Sequence, residues 1–445
     1  MSLRSYLQKL SSANMLVSIN SPVSKNYEIA GVLKAMQPQP VLFEHVQDSP
    51  FRVLGNLFCS KASFAGYLGI EVSQLIPTLA HAIESPQPCP VIKEAACQQV
   101  VIDKPDLDAL PILRHCALDG GNYISSGVFI ARHPTFGPNL DFHRLMQFSK
   151  TDMAVRVVRG RHFDRYLDEL GRLDVAVCIG VSPAVLVAAA TSVELGVNEL
   201  EIANSLSTSR LGQPFTLVPA STVDLLIPSE SEFVLEGTVY NDRRHSEGPF
   251  VDLTGTYDSI RNEPVFEVKT ITHRRDAIWH ALLPGGLEHQ LLMGMPREPT
   301  IFRKVNEVVK CLDVNISTGG CSWLHAIVQI DKQAEDDGKK AIQAAFAGHH
   351  SCKHVFVVDK DIDIYNPQEV EWAMATRFQG ETDLVMMPNE PGSSLDPSST
   401  RAENGTYRTT KLGFDLTRPL ASHGKTYDKA LFPVVDINHY IHHTD

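Results

Sequence analysis

The feature that most restricts the fold is a change of texture near Tyr123. From there to Ile271, short apolar runs follow one another: Ile124 to Ala131, Leu140 to Phe148, Ala154 to Val158, Val175 to Val181, Phe215 to Val218, Phe233 to Tyr240 and Val265 to Ile271. Runs of this length, bounded by Gly, Pro, Asn and Asp, read as strands. Two helical stretches interrupt them, His162 to Leu170 and the Ala-rich Pro183 to Ala190. The middle of the chain therefore reads as a β-barrel or sandwich with inserted helices.

The flanks differ. Leu3, Tyr6, Leu7 and Leu10 recur at helical spacing, the strand-like runs Val41 to Phe43 and Phe51 to Leu54 follow, Ser60 caps a short helix, and Leu75, Ile76, Leu79 and Ile83 mark another. This is a small mixed α/β unit, and a stretch punctuated by Pro86, Pro88, Pro90, Pro105 and Pro111 follows it. A connecting helix is expected from Pro296 to Cys311. Beyond it, the strands Trp323 to Ile330, Val355 to Val358 and Leu384 to Met387 alternate with helices Asp337 to Phe346 and Gln368 to Thr376, as in a second α/β domain. Residues 389–407, rich in Pro, Ser, Gly and Asn, read as a mobile loop. At 445 residues the chain exceeds a single core. The expected division is an N-terminal unit 1–105, a barrel 106–295, a linking helix 296–312, a C-terminal α/β domain 313–420 and a tail 421–445.

Forty basic against 52 acidic side chains give a net charge of −12, which argues against a nucleic-acid binder or a protein of anionic membranes. There is no apolar run of membrane-spanning length and no signal-peptide core, so the expected location is the cytoplasm. Eight scattered cysteines without a C-x-x-C pair fit reduced thiols better than disulfides or structural zinc.

Three windows carry potential chemistry. Ser246 to Tyr257 holds Glu247 and Asp252 on either side of Gly248-Pro249, a pair that enforces a bend able to aim both acids into one cavity. Pro138 to Arg144 offers Asn139, a hard-oxygen donor, and Arg144, suited to bidentate carboxylate recognition. On a straight strand these two would face opposite sides, so Asn139 is expected in the preceding Gly-Pro turn. Third, His162, after Arg161, and Glu236 complete with Asn139 an N/O set fit for Mn²⁺ or Mg²⁺. Taken singly, each of these residues also reads as an ordinary surface polar group. No G-x-G-x-x-G, P-loop, H-E-x-x-H or G-x-S-x-G motif occurs.

In order and spacing, several segments together resemble the UbiD family of decarboxylases, which use prenylated FMN. They are Tyr123-Ile124-Ser125, Asn139-x4-Arg144, Val181-Ser182-Pro183, Phe233 to Gly237, Glu247-Gly248-Pro249-Phe250 and Asp359 to Asp363. The resemblance implies an α/β (α+β) architecture: a flavin-reductase-like split β-barrel binds the cofactor, between an N-terminal mixed α/β unit and a C-terminal α/β oligomerisation domain. It implies Arg144, Glu247 and Asp252 as the catalytic set, with Asp252 the proton donor, although the two acids could exchange roles. It implies Asn139, His162 and Glu236 as ligands of Mn²⁺ (or Mg²⁺) tying down the cofactor phosphate beside K⁺, with Arg161 and Lys411 near the cofactor. Val251, where the family often has Gly, departs from the pattern.

The implied reaction is reversible, non-oxidative decarboxylation of an aromatic, heteroaromatic or α,β-unsaturated acid through a covalent adduct with prenylated FMN. That cofactor serves as the electron sink no side chain provides. A flavin prenyltransferase would supply it, and the protein would be a homodimer or homohexamer. Two other readings stand beside this one, an FMN-binding reductase on a similar barrel and a catalytically silent scaffold subunit. A plain reductase has no reason to set paired acids opposite an arginine, and the intact Arg144, Glu247 and Asp252 set argues against silence.

Overall fold

The computed structural model describes residues 1–403, 405–421 and 426–440; residues 422–425 and 441–445 of the expected tail lie outside them. A nine-stranded antiparallel sheet curls into a half-barrel at the centre of the molecule. Its order runs Asn122–Ile124, Leu145–Gln147, Asp152–Val155, Arg261–His273, Phe233–Glu247, Arg172–Ile179, Val128–His133 and Gly137–Phe142, with Val100–Ile102 pairing alongside Arg261–His273. Alternation sends each strand's side chains to two apolar cores. Ile130, Leu140 and Ala176 join the core beneath helix Pro183–Ala190, while Phe129, Ala131 and Val175 join the one beneath helix His162–Leu170.

The domain boundaries drawn on the sequence are crossed in space. Val100–Ile102, expected in the N-terminal unit, belongs to the central sheet, and Ile278–His280 leaves the expected barrel segment to pair with Arg52–Gly55 in the four-stranded N-terminal sheet. A short strand goes wherever an edge offers free backbone groups, regardless of chain position.

The C-terminal sheet runs Cys311–Ile316, His325–Ile330, His354–Asp359, Tyr407–Asp415, Leu384–Pro391, its three middle strands parallel. Helices Asp337–Gly348 and Pro367–Arg377 fall where helical periodicity put them. The linking helix is shorter than expected: a 3₁₀ turn Met295–Arg297 leads into Glu298–Asn306, and Cys311 already opens a strand. The 389–407 loop is likewise shorter, because Leu384–Pro391 continues into it and Thr400–Arg401 pairs with Tyr407–Asp415. Helices Glu28–Met36, Leu287–Gly294 and Glu199–Leu211 have no counterpart among the expected elements, and the last of these, 13 residues long and rich in Ser and Asn, lacks a one-sided apolar stripe. Among the described residues no helix is long and apolar enough to cross a membrane.

Candidate active site

The two longest strands, Phe233–Glu247 and Arg261–His273, stay paired to their far ends, where Glu247 faces Arg261. There the chain turns at Gly248 and Pro249 into a small hairpin, Phe250–Val251 against Tyr257–Asp258. Gly248 has φ +98°, a region closed to most L-residues, so the bend anticipated from Gly-Pro is enforced by backbone sterics. Asp252 heads the hairpin loop: its N–H donates to the Thr256 carbonyl at 3.0 Å, and its carbonyl accepts from Gly255 N–H at 2.8 Å.

Arg144 enters from the other side. Strand Gly137–Phe142 stops two residues before it, and Asn139 lies inside that strand rather than in the turn preceding it. The break that separates the two side chains therefore falls at His143-Arg144. His143 is pinned by Asp141 at 3.0 Å and by the Arg156 carbonyl at 3.0 Å, which leaves Arg144 directed at the hairpin.

Arg144 grips Glu247 with two parallel bonds, Nε to Oε1 at 2.8 Å and Nη2 to Oε2 at 2.9 Å; Nη1 donates to Asp252 Oδ2 at 2.9 Å. Its guanidinium also lies 5.1 Å from the centre of the Phe250 ring. The fold thus brings Arg144, Glu247 and Asp252 together. It adds groups that the sequence did not single out: Asp258 accepts from Arg144 Nη2 at 3.0 Å and from Arg261, and the Tyr123 hydroxyl donates to Glu247 Oε1 at 3.1 Å. Burial drags the Arg144 pKa down, but Glu247, Asp252 and Asp258 more than offset it, so the guanidinium ends above its ordinary value. For Asp258, burial raises the pKa while Arg261, Arg144 and Arg156 together bring it below the usual carboxylate range.

The two paired acids differ in exposure. Glu247 is fully buried with both oxygens on Arg144, whereas the Asp252 side chain retains 20 % of its surface. Beside Asp252 sits His289, another residue without a sequence signal. Burial lowers its pKa, with the Asp252 charge opposing, and its Nδ1 accepts from Gly285 N–H at 3.1 Å, which places the proton of the neutral ring on Nε2.

The metal set requires a correction. Glu236 shares a cross-strand row with Ala176, Ile130 and Leu140, so it faces the core opposite to the one Asn139 faces, three strands and about 14 Å from the edge strand. Its carboxylate is already engaged by Ser221 N–H at 2.9 Å, Thr222 N–H at 2.6 Å and the Thr222 hydroxyl at 2.7 Å. It cannot share an ion with Asn139. The carboxylate that does reach this region is Glu199, at the start of helix Glu199–Leu211. Glu199 Oε2 accepts from Leu140 N–H at 3.0 Å, at the free edge of the sheet beside Asn139.

Burial first, then the neighbouring Asp141 charge, pushes the Glu199 pKa up to about 8 against its backbone hydrogen bonds. Asn139 keeps a buried Nδ2 without a partner, and His162, its pKa lowered by burial, is felt by the same Asp141. The amide oxygen of Asn139, the His162 imidazole and the Glu199 carboxyl are N/O groups of the kind a hard divalent cation takes. Among the described residues no group of three His, Cys, Asp or Glu is arranged as a metal cluster. Lys411 lies in the C-terminal domain, buried, with Nζ donating to the His350 carbonyl at 2.6 Å.

Comparison with known proteins agrees with this geometry. The chain matches the 3-octaprenyl-4-hydroxybenzoate carboxy-lyase N-terminal domain over residues 7–83, its Rift-related domain over 90–287 and its C-terminal domain over 290–416. It is 40% identical over 426 residues to anhydromevalonate phosphate decarboxylase of Methanothermobacter thermautotrophicus, covering 94% of this chain and 97% of the relative. The UbiD-class enzyme HmfF from Pelotomaculum thermopropionicum, solved in complex with FMN, superposes with a TM-score of 0.93 at 34% identity over 99% of this chain and 100% of its own. An evolved dimeric form of HmfF, solved with prenylated FMN, gives 0.89 at 33% identity over the same shares. Sheet, clamp and relatives together define a carboxy-lyase. The chain belongs to the UbiD family and is a decarboxylase; neither the reductase nor the scaffold reading is favoured.

Proposed function

We propose that the protein decarboxylates a short α,β-unsaturated acid carrying a phosphate, of the anhydromevalonate phosphate type, using prenylated FMN. The observation that carries the reading is the Arg144 clamp on Glu247 and Asp252 in a chain 40% identical to a decarboxylase of that name. Prenylated FMN supplies the electron sink that loss of CO₂ from an sp² carbon requires. A flavin prenyltransferase is its source.

In this reading Arg144 holds the pair of acids and orients the substrate carboxylate. Glu247, buried with both oxygens bonded to Arg144, fixes the guanidinium plane. Asp252, bonded to Arg144 through one oxygen and still partly exposed, is the group placed to hand a proton to the carbon that CO₂ vacates. Neutral His289 beside it would return that proton. Asn139, His162 and Glu199 would hold Mn²⁺ or Mg²⁺ and through it the cofactor phosphate, with K⁺ nearby as the family resemblance implies.

The working divisions are residues 1–105, 106–295 and 313–420 around the linking helix, assembled as a homodimer or homohexamer. A reducing, cytoplasmic setting fits eight cysteines that are all free. Anaerobic co-expression with a flavin prenyltransferase, followed by CO₂ measurement on anhydromevalonate phosphate and on a panel of aromatic and heteroaromatic acids, tests the reading. Turnover of the aromatic acids alone would overturn the substrate class, and activity without prenylated flavin would overturn the cofactor.

A further inference from the structure

A cavity of about 210 Å³ opens between the barrel and the C-terminal domain, lined by Arg161, Arg297, Arg303, Lys304, His349 and His350, with no Asp or Glu in its wall. Charges of one sign gathered around a cavity repel one another unless an anion joins them. Arg297 donates Nη2 to the Ala190 carbonyl at 3.1 Å and lies 5.3 Å from the Trp323 ring centre, yet its Nε is buried without a hydrogen-bond partner. Among the described residues the Arg303 side chain has no hydrogen-bond or ion-pair partner and the Arg161 side chain has no carboxylate partner, and both are exposed. Lys304 pairs with the exposed Glu307 at 2.9 Å. The His349 ring is held against the Trp323 carbonyl at 2.9 Å, and burial, then Arg297, depresses its pKa to about 3, so it adds no charge.

An unpaired buried guanidinium nitrogen and three further cations around one cavity call for a doubly charged oxyanion, and guanidinium forks match phosphate geometry. Arg161 immediately precedes His162, so this cavity and the Asn139, His162, Glu199 donor set meet across one peptide bond. If that donor set takes the cofactor phosphate, a second anion is needed here.

We propose that the Arg161, Arg297, Arg303 and Lys304 cavity binds the phosphomonoester of the substrate and selects phosphorylated over unphosphorylated acids. The proposal deepens the reading above and rests on it.

The test uses holoenzyme with the double variant R303A/K304A, which removes two side chains from a helix surface and leaves Arg297 in its packing. Flavin content is measured first. Then kcat/KM is compared for anhydromevalonate phosphate and its dephosphorylated acid, and thermal stabilisation by inorganic phosphate is compared between wild type and variant. The expected result is retained flavin, a preference for the phosphorylated acid reduced about ten-fold or more, and loss of the phosphate-induced stabilisation. An unchanged preference overturns the proposal. Loss of flavin with unchanged preference assigns the cavity to the cofactor phosphate and overturns it too. If wild type turns over neither acid, the substrate reading has failed independently, and the phosphate titration decides: equal stabilisation of both proteins, or of neither, overturns the anion site.

Discussion

Arg144 and Glu247 are joined by two parallel hydrogen bonds of 2.8 and 2.9 Å, with the Glu247 side chain wholly out of water. A buried charge held this way is tolerable only while its partner is present. Arg144→Ala should therefore cost on the order of 3–5 kcal/mol of stability as well as all measurable turnover. Arg144→Lys, which keeps the charge but loses the fork, should recover part of the stability and little of the activity. Urea midpoints and CO₂ release on the same preparations check both halves; a wild-type midpoint for Arg144→Ala would show that the clamp contributes nothing to the fold.

Asp252→Asn keeps the shape of the side chain and removes its acid. Flavin content should stay at the wild-type level while turnover falls roughly 10²–10⁴-fold, as for loss of a general acid. Deuterium exchange into the product carbon should fall in parallel. Exchange at the wild-type rate would transfer the proton-donor role away from Asp252.

Glu199 and Glu236 make opposite predictions. Glu199→Gln should lower bound metal and flavin by at least the roughly 10–100-fold in affinity that even outer-shell changes produce. Glu236→Gln should leave both in place, because its carboxylate serves Ser221 and Thr222 on the other face of the sheet. Metal analysis and flavin absorbance of the two purified variants decide the matter. Metal lost from Glu236→Gln but not from Glu199→Gln would reverse the assignment.

The hairpin that carries Asp252 is seated against Gly120, whose N–H donates to the Pro249 carbonyl at 2.8 Å; a Cβ on Gly120 would lie 2.2 Å from the Gly248 carbonyl oxygen. Gly120→Ala should displace the hairpin and cut turnover at least ten-fold with flavin still bound. Normal kinetics in this variant would mean that the position of the hairpin does not matter to catalysis.

Burial, with no hydrogen-bond partner for either ring nitrogen among the described residues, holds the His115 pKa down at about 3. Its folded pKa lies below the ordinary value of 6.5, so the unfolded chain takes up the proton first as pH falls. The stabilisation is complete above pH 6.5 and is lost below it, at up to about 1.4 kcal/mol per pH unit for one proton. His115→Phe, beside the Phe250 ring, should flatten the loss between pH 6.5 and 4 by about one proton's slope in denaturant titrations. An unaltered slope would mean that this ring does not govern acid stability.

The parts of the site legible in the sequence were those written locally. Gly248-Pro249 announces its own bend, and Arg144, Glu247 and Asp252 carry chemistry that stands out in short windows. The site roles of Asp258, Tyr123 and His289 are not legible in the sequence, because they arise only through contact with Arg144, Glu247 or Asp252. Glu199 carries no local mark, because its helix lacks an apolar stripe. Glu236 reads as a ligand because a carboxylate within a strand looks the same from sequence whichever face it occupies.

By itself the sequence determined the strand-rich middle, the α/β flanks, the bend before Asp252 and, by family resemblance, the decarboxylase chemistry. All of these depend on residue types and their spacing within a few positions, where sterics and periodicity act. Tertiary structure alone decided which carboxylate reaches the edge strand at Leu140, where short strands such as Val100–Ile102 and Ile278–His280 pair, and how Arg161, Arg297, Arg303 and Lys304 come to line one cavity. Those outcomes turn on which face of a sheet a side chain takes and on which distant segment covers it. Both are fixed only when the whole chain has closed around its cores.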